Sequence, residues 1–150
     1  MRIFERILLA TDFSEASVRA FDESVRLAGA SGASLILVHA YQVPPAAALS
    51  HAPAGVYEDY EQAVRRSADE KLCALVEQAR ARGADARPLL VAGFPDEEIV
   101  AAAGREKADL LVIGTHGRRG AARLFLGSVA ARVVTTAPCP VMTVRPAGGA

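Results

Sequence analysis

The sequence predicts a doubly wound α/β domain, in which helices cover both faces of a parallel sheet. Short, nearly continuous apolar runs alternate along the chain with longer segments whose apolar residues repeat at helical spacing. Strands that are apolar throughout indicate a sheet buried on both faces, and right-handed crossovers then place helices on both sides. The length of 150 residues suits a single domain, which we place at residues 1–146, with a disordered tail at residues 147–150.

Two strands and two helices are predicted in the first half of the chain. In chain order they are a strand over residues 3–10, a helix that ends at Gly29 and Gly32, a strand over residues 34–39 and a helix over residues 58–82. Ser14 offers an N-cap for the first helix, whose apolar face begins at Val18. The Pro/Ala-rich connection from Gln42 to Tyr57 is too long for an ordinary turn and is predicted to serve as a lid or a contact segment.

Three strands and two helices are predicted in the second half. They are a strand over residues 86–92, a helix from Pro95 to about Gly104, a strand over residues 110–113, a helix from Ser128 to just before Pro138, and a strand over residues 140–145. Pro88 indicates an edge strand or a strand start, because proline cannot donate to a sheet ladder. Pro95 suits the first position of a helix.

Composition argues against several classes of function. Lys and Arg number 17 and Asp and Glu number 17, so we expect neither nucleic acid nor an anionic membrane as a partner. No stretch approaches the ~18 apolar residues of a membrane span, and Met1–Arg6 lacks the apolar core of a signal peptide, so we expect a cytoplasmic protein. Cys73 and Cys139 form no C-x-x-C pair and are expected to be reduced thiols in the core.

A glycine-rich run between a strand and a helix is the main candidate for a functional site. It extends from Gly114 to Ser128, directly after the apolar stretch 109–113, and includes Gly117 and Gly120. Backbone N–H groups in such a turn, together with the start of a helix, can bind an anion. The spacing G-x-x-G-x-x-G is neither the dinucleotide fingerprint nor a P-loop. From the residues alone, an anion site and a loop whose glycines serve only its turns both stay open.

Other strand ends are predicted to reach the same place. In open parallel sheets, ligands bind beyond the carboxyl ends of the strands, where the winding direction reverses. Thr11 and Asp12 end the first predicted strand, Val38 and His39 end the second, and Gly114 ends the fourth. These strand ends can therefore line one crevice.

The glycine pattern resembles the nucleotide-binding signature of the universal stress protein family. Gly114, Gly117, Gly127 and Ser128 match Gly-x2-Gly-x9-Gly-Ser, and the segment Ile7–Ser14 resembles the opening strand of the family. The resemblance implies a Rossmann-like adenine-nucleotide-binding fold with five parallel strands in the order 3-2-1-4-5. Because the motif is intact, the resemblance also implies ATP or a related adenine nucleotide as the ligand.

The resemblance further implies which residues form the site. From the adenosine end to the phosphate end they are Ala10, Thr11, Asp12, Val38, Gly114, His116, Gly117, Arg118, Gly127, Ser128 and Val129. The first three would line the adenosine part, and the Val38 backbone would bond the adenine edge. Gly114 and Gly117 would shape the ribose and phosphate side. The last three would hold phosphates through backbone N–H groups and the serine hydroxyl.

Several of these residues also have a simpler interpretation. Asp12 could only cap the first helix, and Ser128 could be only an N-cap. His116 contacts phosphate or is an exposed loop residue. Arg118 and its neighbours in the loop pair with phosphate or with a partner subunit.

Three functions stay open at this point. The leading one is an ATP-binding sensor or switch in the stress response, the second is a slow ATPase with the same site, and the third is a nucleotide-free interaction protein. The sequence holds no H-E-x-x-H, G-x-S-x-G or Walker lysine, so we assign no catalytic residue. We expect no metal site of side chains, and Mg²⁺ or Mn²⁺ would be held through the phosphates of ATP.

The last predicted strand offers a surface for self-association. Val141–Val144 is apolar and expected at a sheet edge, and an unpaired edge invites pairing with another chain. The family commonly dimerises through this strand, so the resemblance implies a homodimer with an antiparallel, two-fold contact.

Overall fold

Five parallel strands form the central sheet of the computed structural model, which describes residues 2–116 and 126–147. The strands are β1 Arg6–Ala10, β2 Ser34–Tyr41, β3 Asp85–Ala92, β4 Leu110–Gly114 and β5 Val141–Val144. They pair in the order β3-β2-β1-β4-β5, and every neighbouring pair is parallel. This arrangement confirms the predicted doubly wound sheet and its strand order. The disorder predicted for residues 147–150 falls, apart from Ala147, outside the described residues.

Helices cover both faces of the sheet. They are α1 Val18–Ser31, α2 Val56–Ala81, α3 Pro95–Arg105 and α4 Ser128–Thr136, with short 3-10 helices at Glu15–Ser17 and Ala46–Leu49. The helices α1 and α2 pack on one face and α3 and α4 on the other. Within the described residues, no helix combines the length and the apolarity that crossing a membrane requires.

Alternation along β1 shows why the strands are apolar throughout. Ile7 and Leu9 point into the core beneath α1 and α2, whereas Leu8 and Ala10 point into the core beneath α3 and α4. Each of these four side chains meets a helix layer, so none of these positions favours a polar residue.

The first strand is shorter than predicted, because it begins at Arg6 and not at Ile3. The backbone N–H groups of Glu5 and Arg6 donate to the carboxylate of Asp109, at 2.7 and 3.1 Å, and not to a neighbouring strand. Ile3 lies outside the sheet and is 76% exposed. The predicted strand began too early because Ile3 is apolar, whereas the hydrogen-bond ladder of β1 starts only at Arg6.

The start of the first helix also differs from the prediction. Ser14 precedes the 3-10 helix and makes no side-chain capping bond there; its hydroxyl donates instead to Asp12 Oδ1 at 2.5 Å. Val18 opens α1 but is 54% exposed, so the predicted apolar face does not include it. The helix passes through Gly29 and ends before Gly32, whose φ of 66° suits glycine at this left-handed C-cap position.

Two further boundaries shift by a few residues. Strand β2 continues past the predicted end at His39 to Tyr41, because β3 accompanies it to Ala92. Helix α2 begins at Val56, inside the segment predicted as a connection. Pro88 lies in β3, at the sheet edge, as predicted.

One of the two cysteines does not lie in the core. Cys73 is exposed on α2, whereas Cys139 is half-buried and packs against the core beneath α3 and α4. Both are free thiols. Partial desolvation raises the pKa of the Cys73 thiol, and the neighbouring carboxylate of Asp69 raises it further. Burial likewise raises the pKa of Cys139. Both thiols are therefore protonated at neutral pH.

The position of the core predicts the cost of truncating its side chains. Leu37 of β2 is fully buried, and Leu37→Ala is expected to lower the free energy of unfolding by about 3 kcal/mol through lost burial and a residual cavity. Val18→Ala, on the exposed start of α1, is the control and should cost less than about 0.5 kcal/mol. Urea denaturation measures both. Equal costs for the two variants would contradict the placement of the core.

Candidate functional site

A cleft of about 1140 Å³ opens at the carboxyl ends of β1, β2 and β4. From β1 the chain winds towards β2 on one side, while β4 lies on the other side, so this is the switch point of the sheet. Helix α2 forms one wall, and the starts of α3 and α4 form the other. The volume and position are those of a small-molecule site.

Most of the residues predicted for the site line this cleft. They are Ala10, Thr11, Asp12, Gly114, His116, Gly127, Ser128 and Val129. Gly117 and Arg118, which were also predicted, lie outside the described residues, as do Gly120, Arg119 and Arg123. Val38 is described but does not reach the cleft.

The prediction for Val38 is wrong in position. Val38 is fully buried, and its carbonyl accepts the Thr11 N–H at 3.0 Å. Backbone groups of successive strand residues point alternately to either side. The backbone groups of Val38 point towards β1, so those of Ala40, two residues later, point to the same side. The Tyr41 carbonyl points to the other side, where it accepts the Gly93 N–H after β3. Strand β1 ends before it reaches the level of Ala40, so the N–H and C=O of Ala40 have no partner strand on that side. They face the cleft, which Ala40 lines.

A buried threonine fixes the end of β1. Thr11 is only 7% exposed, and its carbonyl lies 2.8 Å from His39 Nδ1. A carbonyl oxygen can only accept, so Nδ1 carries the proton and the imidazole tautomer is set. The Thr11 hydroxyl accepts the Phe13 N–H at 3.2 Å, and the Ser17 hydroxyl lies 3.4 Å away.

Phe13 occupies a conformation that is rare for a phenylalanine. Its φ is 62°, in the left-handed region, where a bulky side chain is strained. Its ring lies against the imidazole of His39, with centroids 4.3 Å apart, and Lys71 Nζ lies 6.0 Å from the ring centroid. Strain of this kind, held in place by packing and hydrogen bonds, is typical of functional sites.

Three of these cleft residues were missed as site residues from the sequence. Nothing in the sequence signals a left-handed Phe13, since that conformation usually belongs to glycine or asparagine. Lys71 shares a helical face with Ser67 and Val64, which also line the cleft, but helical spacing alone does not show where that face points. Ala40 could have been found, because a second strand longer than the first leaves alternate backbone groups unpaired beyond the shorter one.

Asp12 has a local structural role as well as a place in the cleft. Its Oδ1 accepts the backbone N–H of Ser14 at 3.0 Å and the Ser14 hydroxyl at 2.5 Å, which forms the turn into the 3-10 helix. Asp12 therefore does not cap the first helix, since Ser14 and Ser17 occupy the N-cap positions; it shapes the turn before them and lines the cleft.

The phosphate end predicted for the site begins at the N-terminus of α4. Gly127 N–H donates to the Thr115 carbonyl at 2.7 Å, so within the chain this N–H already has an acceptor. The Gly127 carbonyl accepts the Ala131 N–H and opens the helix. The N–H groups of Ser128, Val129 and Ala130 belong to the first turn, where no acceptor lies within the helix. These three groups, together with the helix dipole, give this end of the cleft groups that can bind an anion.

Two polar residues, Thr115 and His116, follow β4 on the floor of the cleft. Thr115 is 7% exposed, its N–H donates to the Val144 carbonyl at 3.0 Å, and its hydroxyl lies 2.9 Å from His116 Nδ1. A Cβ at Gly114 would lie 3.4 Å from the Ala16 carbonyl oxygen, which is an ordinary van der Waals distance. Within the described ranges, no three His, Cys, Asp or Glu side chains are grouped so that they could hold a metal ion.

Comparison with known proteins identifies the family. The sequence model of the Universal stress protein family matches residues 3–145. The chain belongs to the universal stress protein family. A universal stress protein of Thermus aquaticus is 39% identical over 150 aligned residues, which cover 95% of this chain and 100% of the relative.

Solved universal stress proteins have the same fold and include complexes with adenine nucleotides. One, in complex with cAMP, is 33% identical, with coverage of 96% of this chain and 98% of its own and a TM-score of 0.65. Another, from Archaeoglobus fulgidus in complex with dAMP, is 25% identical, with coverage of 95% and 99% and a TM-score of 0.68.

The contact between Thr11 and His39 predicts a proton position in this universal stress protein. The neutral ring of His39 is expected to carry its proton on Nδ1, because the Thr11 carbonyl accepts from that nitrogen. The ¹⁵N chemical shifts of the imidazole, measured by long-range ¹H–¹⁵N NMR above pH 8, report the tautomer, and His51, which is exposed, serves as the solvated reference. A proton on Nε2 of His39 would contradict the assignment.

Proposed function

We propose that this universal stress protein binds an adenine nucleotide, ATP in the first place, in the cleft and acts as an ATP-dependent sensor or switch in the stress response. One observation carries the proposal. A pair of backbone hydrogen-bonding groups at Ala40 and the N-terminus of α4 face the same cleft from its two ends. The first suits a base and the second suits phosphates.

The Ala40 backbone is complementary to adenine. Adenine presents an N–H donor at N6 beside an acceptor at N1, and Ala40 presents a carbonyl and an N–H on the same side of β2. Guanine presents an acceptor and a donor in the reverse arrangement, so the same two groups would meet like partners. The main chain at this strand end therefore favours adenine.

The start of α4 is suited to the phosphates. The first-turn N–H groups at Ser128, Val129 and Ala130, with the positive end of the helix dipole, stabilise negative charge. We propose that Mg²⁺ or Mn²⁺, when it accompanies ATP, is held mainly through the phosphate oxygens, as Mg²⁺ commonly is with nucleotides. The related structures with cAMP and dAMP support the adenine nucleotide class.

The two edges of the sheet differ in a way that supports a homodimer through β5. Gly93 N–H points to β2, so by alternation Pro88 directs its substituted nitrogen outward and offers no donor on the β3 edge. Arg87 on that edge is paired with Glu106. On β5, the carbonyl of Val144 points to β4, so the N–H and C=O of Thr143 point outward. The β5 edge can therefore pair with a second copy, in an isologous contact.

Two substitutions at Ser128 test the phosphate end. Ser128→Ala removes only the hydroxyl, whereas Ser128→Pro also removes the backbone N–H at the first position of α4, where proline is compatible with a helix. Gly127, with ψ of 157°, already has the conformation that a following proline requires. We expect Ser128→Pro to bind ATP roughly tenfold or more weakly than Ser128→Ala, since a bond to a charged acceptor is lost.

Isothermal titration with ATP measures the difference, and circular dichroism verifies that both variants fold. Equal affinities of the alanine and proline variants would show that this N–H does not contact the nucleotide. A parent protein that shows no saturable binding of ATP, ADP, AMP or cAMP would refute the proposed function as a whole.

The β5 edge is tested at Thr143. Thr143→Pro removes the outward N–H and leaves the ladder to β4 intact, so the variant is expected to be a monomer. Thr143→Val keeps that N–H and should remain a dimer, like the parent protein. Sedimentation velocity at micromolar concentration measures the mass of each. A parent protein that sediments as a monomer would count against the dimer, as would a dimeric Thr143→Pro variant.

A further inference from the structure

Lys71 is a cation on the wall of the cleft that has no ion-pair partner among the described residues. It extends from α2, and its ammonium lies 6.0 Å from the centroid of the Phe13 ring. In the described part of the chain, the ion pairs join arginines to carboxylates, and none of them includes Lys71. A cation placed against a ring, and left without a carboxylate, remains available to an anionic ligand.

Lys71 faces a residue at the end of β1. Phe13, whose ring its ammonium approaches, follows β1, and β1 lies between β2 and β4 in the sheet. The base end at Ala40 belongs to β2, and the phosphate end at Ser128 follows β4. A ligand that extends between the two ends of the site proposed above therefore passes the residue that Lys71 faces.

Lys71 also lies on the opposite wall from the anion-binding helix. Helix α2 packs on the face of the sheet that carries α1, and α4 packs on the other face. A ligand in the cleft passes between these walls. The ligand would therefore meet the first turn of α4 on one wall and Lys71 on the other.

We propose that Lys71 binds the first phosphate of the nucleotide and thereby makes this site prefer nucleotides to nucleosides. The inference rests on the proposed function, because it assumes the base at Ala40 and the outer phosphates at α4. In that orientation the ribose and the α-phosphate occupy the middle of the cleft. A lysine ammonium binds phosphate as a compact point charge, while its methylene stem packs on the ring of Phe13.

The proposal divides the phosphate contacts between the two walls. Lys71 accounts for the gain in affinity from adenosine to AMP, and α4 accounts for the gain from AMP to ATP. If Lys71 instead contacted the base, its ammonium would lie on the face of adenine. Removal of the ammonium would then weaken the binding of adenosine as well as that of AMP.

The test compares adenosine, AMP and ATP as ligands of four proteins, by isothermal titration at low and high salt. The proteins are the parent, Lys71→Met, Lys71→Arg and Arg66→Met, the last of which removes one positive charge from an exposed position of α2 outside the cleft. We expect Lys71→Met to bind adenosine like the parent and to bind AMP and ATP roughly tenfold more weakly. Lys71→Arg should retain most of the affinity for AMP, and Arg66→Met should change none of the three.

The outcomes separate this inference from the proposed function. Equal losses for adenosine and AMP in Lys71→Met would overturn it in favour of a base contact or a structural role, and unchanged AMP binding would overturn it as well. An equal loss in Arg66→Met would show a general charge effect and would also overturn it. If the parent protein binds none of the three ligands, the proposed function fails and this inference fails with it. If the parent binds ATP and only the Lys71 pattern is absent, the proposed function stands alone.

Discussion

The hydrogen bond between the Thr11 N–H and the Val38 carbonyl is the constraint on which the site depends. It is the last bond of the ladder between β1 and β2, and it fixes where the shorter strand stops. Strand β2 continues beside β3 to Tyr41, beyond the end of β1. The backbone groups at the end of β2 that point towards β1 therefore have no strand beside them. The cleft exists because neighbouring strands of one sheet have different lengths, and the switch point places that difference at the centre of the molecule.

The turn after β1 is held by contacts that support one another. The Thr11 carbonyl orients His39, the imidazole packs against Phe13, and Asp12 closes the turn through Ser14. A left-handed phenylalanine costs about 1–3 kcal/mol, so these contacts must offset that strain in the folded protein. The same network orders this turn before a ligand binds, which reduces the conformational entropy that the turn must lose on binding.

The sequence was sufficient for the architecture because its signal is repeated in every element. Apolar runs that are buried on both sides, as at Leu8 and Leu9, do not depend on a single contact. The ends of helices and strands do depend on single contacts. The start of β1 is set by the carboxylate of Asp109, more than a hundred residues away in the sequence, which no local pattern reports. In the site, too, some features could be predicted from local patterns and others depended on a single long-range contact. Glycines and strand ends were visible in the sequence, but the pairing that turned Val38 inward and Ala40 towards the cleft was not.

The two sheet edges limit how large an assembly built through β-pairing can become. One edge of this sheet ends in a strand with a proline whose nitrogen faces outward, and the other ends in β5 with its backbone groups exposed. In the dimer proposed above, both outer ends of the combined sheet are β3 strands. Neither end then presents a complete row of donors to a further strand. Pro88, which lies on the edge away from β5, would thereby limit strand addition in the proposed dimer to two copies.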